Sequence, residues 1–127
     1  MKKLGLIFAF ILALAAPAFA DPAEGTWKTG VDDGKYAHIK VSKCGAKICG
    51  VFTRTFDSKG EVPSDVIGRN IVWDMEPNGD GTYGNGKIWQ PSKDRTYSST
   101  MTLSGNKLAV VGHWGLFKKS QTWSRVK

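Results

Sequence analysis

Cys44 and Cys49, His38 and His113, and the carboxylate pairs Asp32 with Asp33 and Asp74 with Glu76 are the side chains whose types and spacing could do chemistry. The two cysteines are the only ones in the chain. Four residues separate them, whereas a dithiol exchange motif uses two and sits in a strand–helix–strand setting. The cysteines and histidines together do not give the spacing of a zinc site. A structural disulfide is the better reading. Residues 36–42 alternate, with Ala37, Ile39 and Val41 on one face. Gly45, Ala46 and Lys47 then turn the chain, and residues 48–56 are rich in β-branched and aromatic side chains. The pattern predicts a hairpin with Cys44 facing Cys49 across its neck. Closing so short a loop contributes about 2 kcal/mol on the chain-entropy model.

The histidines do not find catalytic company. His38 is in phase with Tyr36 and Lys40, and His113 with Val111, each opposite an apolar face, so both are expected to meet water. No Gly-x-Ser-x-Gly elbow is present. The carboxylate pairs fall at turns and strand ends. Asn78-Gly79-Asp80-Gly81 hints at calcium but lacks a twelve-residue loop and its closing Glu. No catalytic constellation assembles, so no metal and no cofactor is implied. An enzyme here, a hydrolase for instance, would have to use unrecognised residues.

The compartment comes from the first twenty residues. Lys2 and Lys3 precede an apolar run over residues 4–14, Pro17 breaks it, and Ala18-Phe19-Ala20 offers small residues at both positions that a signal peptidase reads. This is a secretory signal peptide of bacterial type, too short and wrongly flanked for a membrane anchor. Asp21, not Cys, follows the cleavage point, so no lipid anchor is expected. The mature chain, residues 21–127, is one domain placed in the periplasm or the medium, where an even cysteine pair oxidises. Net charge is +7 for the whole chain and +5 once Lys2 and Lys3 leave with the leader. The remaining basic residues are scattered, with only Lys118 and Lys119 adjacent. That argues against nucleic-acid binding, which needs clustered charge among stacking aromatics. It leaves room for weak attraction to anionic envelope surfaces.

The elements available to position any site are strands. Residues 24–28, 36–42, 48–56, 70–75, 83–90, 95–103, 107–114 and 120–126 read as strand, with Ile71, Trp73 and Met75 expected on one side of the fourth. Leu108, Val110 and Trp114 are expected inward on the seventh. The fold class predicted is all-β, an up-and-down antiparallel barrel of about eight strands. Residues 57–68 form the longest irregular stretch, a candidate lid or plug, in which 63–67 has room for one helical turn. In such a barrel the first and last strands are neighbours. Trp27 would then lie beside Arg125, whose guanidinium can stack over the indole for about 1 kcal/mol.

Gly25 and Trp27 with a closing Arg125 resemble the G-x-W and stacking arginine of the lipocalin-like, or calycin, superfamily. A narrower resemblance covers nearly all of the mature chain. The opening G-x-W, the hairpin ending in Cys49-Gly50, the Gly86-Lys87-Ile88 segment with Pro91 and then Tyr97, the Leu108, Val110, Gly112 alternation, and Gln121-Thr122-Trp123 with Arg125 are similar to a family of small secreted bacterial proteins carrying a domain of unknown function. Two positions depart from that pattern. Gln90 stands where the family often has Asp, and Val111 where it often has a basic residue, so no role is carried over there. The resemblance implies a lipocalin-like barrel and binding of a small apolar molecule.

The aromatic residues are the candidate ligand-binding set: Trp73, Trp89 and Trp114 on separate strands, with Phe52, Tyr97 and Met101 in their layer. Arg54 joins them if its strand face points inward, where a buried cation would need an acidic ligand group or an Asp. An outward face makes it an ordinary surface residue, and this is the favoured side. Small barrels are packed solid or hold one ligand. The function expected is therefore non-catalytic binding of a small, lipid-like molecule by a monomer. The alternative is a solid barrel that engages an envelope protein through residues 57–68 or 115–119.

Overall fold

The computed structural model describes residues 20–127. The expected leader, except for Ala20, lies outside the described residues. Nine strands follow in order: β1 (Gly25–Lys28), β2 (Tyr36–Cys44), β3 (Lys47–Asp57), β4 (Gly60–Val62), β5 (Asn70–Pro77), β6 (Thr82–Gln90), β7 (Arg95–Ser104), β8 (Lys107–Trp114) and β9 (Phe117–Arg125). All pairings are antiparallel, running β2-β1-β9-β8-β7-β6-β5-β3, and β2 pairs with β3 to close the ring. Eight strands make the barrel, and β4 is a three-residue addition hairpinned onto β3. None of the described residues is helical; where a helical turn was expected over 63–67, the chain forms a non-helical turn over 65–68.

Tight turns set the register. Gly45, Gly105 and Gly115 take the first turn position of three two-residue hairpins, with φ of 68°, 58° and 57°. A left-handed first residue matches the twist of the strands it joins, and glycine adopts it without steric cost. The first of these turns corrects the predicted hairpin neck. Lys47 is already paired with Cys44, and Cys49 is opposite Ser42. The disulfide therefore joins diagonal neighbours, with Cα atoms 5.9 Å apart, rather than a facing pair.

Strand β5 departs most from simple alternation. Between Gly50 and Val51 the partner strand advances two residues, and between Ile48 and Gly50 it advances three. Two extra residues, Ile71 and Asp74, are thus bulged, with Asp74 at φ 57°. A bulge shifts the side-chain phase by one. Ile71, Val72 and Met75 are all buried as a result, while Trp73, opposite Lys87, falls on the outer side of the sheet and is only half-buried. The predicted face of Ile71, Trp73 and Met75 is corrected accordingly.

The core is divided along the barrel axis. At the end bearing the disulfide, Trp27, Trp123, Ile39, Ile48, Met75, Met101 and Leu108 are essentially inaccessible. Gly50 and Gly86 face inward among them, and a Cβ on Gly50 would stand 2.8 Å from Ile39 Cγ2 and 3.1 Å from Val72 Cγ2. The N-terminal segment seals this end. Trp27 Nε1–H donates to the Ala23 carbonyl at 2.8 Å, and the Tyr83 hydroxyl donates to Asp21. Burial, reinforced by that carboxylate, pushes the Tyr83 hydroxyl well above its ordinary pKa. Arg125 lies beside Trp27 in the β1–β9 pair, its guanidinium carbon 4.4 Å from the ring centroid. Its nitrogens donate to the Glu24 carbonyl at 3.0 Å, the Pro22 carbonyl at 2.7 Å and Asn106 Oδ1 at 3.1 Å.

Two stability predictions follow from this end of the barrel. Gly50→Ala forces a methyl against stiff β-branched neighbours and lowers unfolding stability by about 1–3 kcal/mol, read as a lower urea midpoint at unchanged slope. Arg125→Ala costs about 2 kcal/mol from the lost stacking and hydrogen bonds. Arg125→Lys recovers less than half of this, because an ammonium cannot stack on the indole and reach three divergent acceptors together. Full recovery by lysine would reduce the role of Arg125 to charge alone.

Candidate functional site

At the opposite end the inward positions turn small. Ala37 on β2, Thr55 on β3, Gly112 on β8 and Thr29 just after β1 line an open cavity of about 490 Å³. The space exists because these positions carry little side chain, while Trp27, Trp123, Met75 and Met101 fill the sealed end. Its apolar walls are Phe52, Ile71, Ile88, Val110 and Val66, with Trp89 and Trp114. Four segments surround the mouth: residues 29–35, 62–69, 90–95 and 114–119. Residues 62–66 form one wall, so the stretch flagged as a candidate lid borders the cavity, with Val66 packed on the core.

Of the aromatic and cationic set expected from sequence, Phe52, Trp89, Tyr97 and Trp114 line this cavity together. Phe52 meets Trp89 edge to face, centroids 6.2 Å apart. The Arg69 guanidinium lies 3.8 Å from the Trp89 ring centroid, and Trp89 Nε1–H donates to Asp94 at 2.9 Å, so this indole is held on three sides. Tyr97 and Trp114 are tilted against each other at 5.4 Å, and Trp114, expected inward, is 44% exposed at the rim. The other three lie elsewhere. Met101 is buried in the floor, and Trp73 is outside for the reason given above. Arg54 is on the outer face, opposite His38, where it forms a two-pronged ion pair with Glu61. That hydrogen-bonded pairing holds the Glu61 carboxyl below its ordinary range. His38 is held below its ordinary value by partial burial first and by the nearby Arg54 and Lys28 charges second. His113 shares a hydrogen bond with Thr100 on the outer face. Neither histidine touches the cavity.

Polar groups converge at one side of the mouth. The Tyr97 hydroxyl donates to Gln90 Oε1 at 3.2 Å, Gln90 Nε2 donates to Asp32 Oδ2 at 3.3 Å, and the Ser92 hydroxyl donates to the same oxygen at 2.8 Å. This chain ties the β6–β7 turn to the β1–β2 loop. Deeper in, Gln121 Oε1 accepts Trp123 Nε1–H at 2.7 Å, fixing an inward amide just above the core. Residues 37, 55, 88, 110 and 112 of the wall, and the Asp32–Gln90 link, were not singled out as site residues from sequence. The available signal was the inward phase of small residues on neighbouring strands. Among the described residues, no three His, Cys, Asp or Glu side chains come together as metal ligands, and no helix is long and apolar enough to cross a membrane.

A closed antiparallel barrel of eight strands with one sealed end and an apolar cavity at the other is a lipocalin-like fold. Residues 25–125 match a family described as uncharacterized protein conserved in bacteria, DUF2147, and the chain belongs to it. A solved structure shares the fold: protein HP1028 from the human pathogen Helicobacter pylori, described as belonging to the lipocalin family. The two superpose with a TM-score of 0.66 over 82% of each chain at 19% sequence identity. No curated protein sequence matches the chain.

The outward position of Arg54 generates a direct expectation. Arg54→Ala is expected to leave any tryptophan fluorescence response to an added long-chain carboxylate unchanged. A clear loss of affinity would place the cation in the binding site after all.

Proposed function

We propose that this protein is a non-catalytic binder of a small, largely apolar, lipid-like molecule, taken into the barrel through its open mouth. The observation that carries the proposal is the cavity of about 490 Å³ walled by Phe52, Ile88, Trp89 and Val110. That volume lies within the range of small-molecule sites, and apolar walls with a few converging polar groups are their usual chemistry. The apolar walls reward burial of a hydrocarbon by about 25 cal/mol per Å² removed from water. The Tyr97–Gln90–Asp32 chain gives a polar end of the ligand a place to hydrogen-bond at the rim. The leader pattern supports action in the periplasm or the medium. The strands close into a ring through the β1–β9 and β2–β3 pairings, which supports a monomer. The alternative, a barrel that engages an envelope protein through its loops, starts from a solid interior, and the cavity favours the binding reading over it.

The test is a titration of the mature protein with long-chain fatty acids and lysophospholipids, followed by tryptophan fluorescence, with Trp89 and Trp114 as reporters. Saturable quenching is expected. Gly112→Leu should block the site without unfolding the barrel. Its Cβ would sit 3.5 Å from Ile88 Cγ2 and 3.8 Å from Tyr97 Cβ, ordinary contact distances, and the rest of the side chain enters the cavity. The variant is expected to lose affinity about tenfold, 1.4 kcal/mol, at an unchanged thermal midpoint. No saturable response from the native protein to any of these lipids would remove the proposal.

A further inference from the structure

Six large hydrophobic side chains are exposed among the described residues, and five of them stand on the segments around the open mouth. Val31 lies between β1 and β2, Ile67 between β4 and β5, and Trp114, Leu116 and Phe117 on the β8–β9 hairpin. Leu116 is fully exposed at 101%, and Phe117 at 68% stacks on Trp114 with centroids 6.3 Å apart. A soluble surface scatters such residues singly; a cluster on one end marks a contact surface.

Charge says what kind of surface. Lys118 and Lys119 follow the hairpin tip directly, and Lys93 and Arg95 flank the neighbouring β6–β7 turn. All four are exposed, and none is in an ion pair among the described residues. The carboxylates nearby are distributed differently. Asp94 and Asp32 accept internal hydrogen bonds from Trp89, Gln90 and Ser92, while Asp33 and Asp65 stand on the β1–β2 and β4–β5 segments. One edge of the mouth is therefore cationic, and it is the edge with the protruding Leu116 and Phe117.

We infer that this β6–β7 and β8–β9 edge of the mouth docks on an anionic lipid bilayer, with Leu116 and Phe117 entering the headgroup–acyl boundary and the lysines against lipid phosphates. Apolar tips with a rim tryptophan and adjacent lysines are the combination that settles at a membrane interface. Basic residues close to an anionic leaflet add attraction that salt screens. A bilayer fits this end better than a folded protein does, because the apolar residues are spread over separate loops around a hole. A soft surface can receive them all, whereas a rigid partner would leave the mouth unfilled. The inference goes beyond ligand binding and stands whether or not the cavity is occupied.

The experiment is co-sedimentation of the mature protein with vesicles of phosphatidylcholine alone and of phosphatidylcholine mixed with phosphatidylglycerol. Pelleting with the mixed vesicles, weaker on the neutral ones and reduced by salt, is expected. Leu116→Ser with Phe117→Ser lowers the bound fraction at least about tenfold, and Lys118→Glu with Lys119→Glu removes the preference for the anionic vesicles. The Leu116/Phe117 variant keeps its affinity for fatty acid in solution, since neither residue lines the cavity. Loss of vesicle binding with fatty-acid binding intact thus separates docking from the ligand proposal. No pelleting of the native protein, or equal pelleting of the Leu116/Phe117 variant, overturns the inference. So does a concentration-dependent dimer that this variant abolishes, which would make the edge a contact between copies.

Discussion

Everything in this molecule hangs on the contact between Trp27 near the start of the barrel and Arg125 near its end. Closure of an eight-stranded ring needs its first and last strands in register, yet β1 and β9 share only a short pairing, Trp27 with Arg125 and Lys28 with Ser124. Backbone ladder alone is thin there. The guanidinium supplements it by stacking on the indole and by gathering the carbonyls of Pro22 and Glu24, so that the N-terminal segment is drawn across the end of the barrel. Gly25 makes room for this. A Cβ there would stand 2.8 Å from the Arg125 guanidinium and 2.6 Å from the Lys127 carbonyl. One cation–aromatic pair therefore closes the ring, caps one end, and leaves only the other end open.

The cavity is the consequence of that asymmetry. Bulk is concentrated at the capped end, where Gly50 and Gly86 yield their side-chain space to Ile39, Val72 and Met75. Toward the mouth the inward positions shrink to Ala37, Thr55 and Gly112, and the ring encloses more volume than its side chains fill. The residues that mark this chain as a member of its family serve mostly this architecture. Gly25, Trp27, Gly50, Gly86, Trp123 and Arg125 build the closed end, while Ile88, Pro91, Tyr97, Val110 and Gly112 of the shared motifs line the cavity, and Gln121 lines it too while ordering Trp123. Gln90 is instructive in this respect. It stands where the resembled family often has Asp, and here it relays hydrogen bonding from Tyr97 to Asp32, so a carboxylate reaches the same corner from the β1–β2 loop.

Much of this was legible in the residues. The strand phases of β2, β7 and β8 follow from their alternation, the hairpin turns from their glycines, and ring closure from a tryptophan and an arginine at opposite ends of the chain. Misreadings arose where the backbone breaks alternation. Bulges at Ile71 and Asp74 rotate Trp73 outward, and no side-chain pattern announces them, because neither Ile nor Asp is a residue a bulge requires. Strand β4 was missed because three residues after a turn are too few to show a period. The cavity itself depends on what is missing from each inward position. It emerges only when small residues that are distant in sequence, such as Ala37 and Gly112, are brought to one level of the ring. The rim was partly misplaced: residues 115–119 were expected as a loop, whereas β9 starts at Phe117, and only the two-residue turn shows that Leu116 and Phe117 protrude beside Trp114.

The proposed occupancy of the open half of the barrel by a small apolar molecule rests on the cavity walled by Phe52, Ile88, Trp89 and Val110. Native mass spectrometry of the mature protein, purified gently without detergent and then extracted with organic solvent, tests it most directly. A discrete adduct is expected, one that disappears on unfolding and is recovered as a lipid-like compound in the extract. A clean unliganded mass that does not shift when fatty acids are added would contradict it, leaving a barrel whose cavity is unused and whose function lies on its surface.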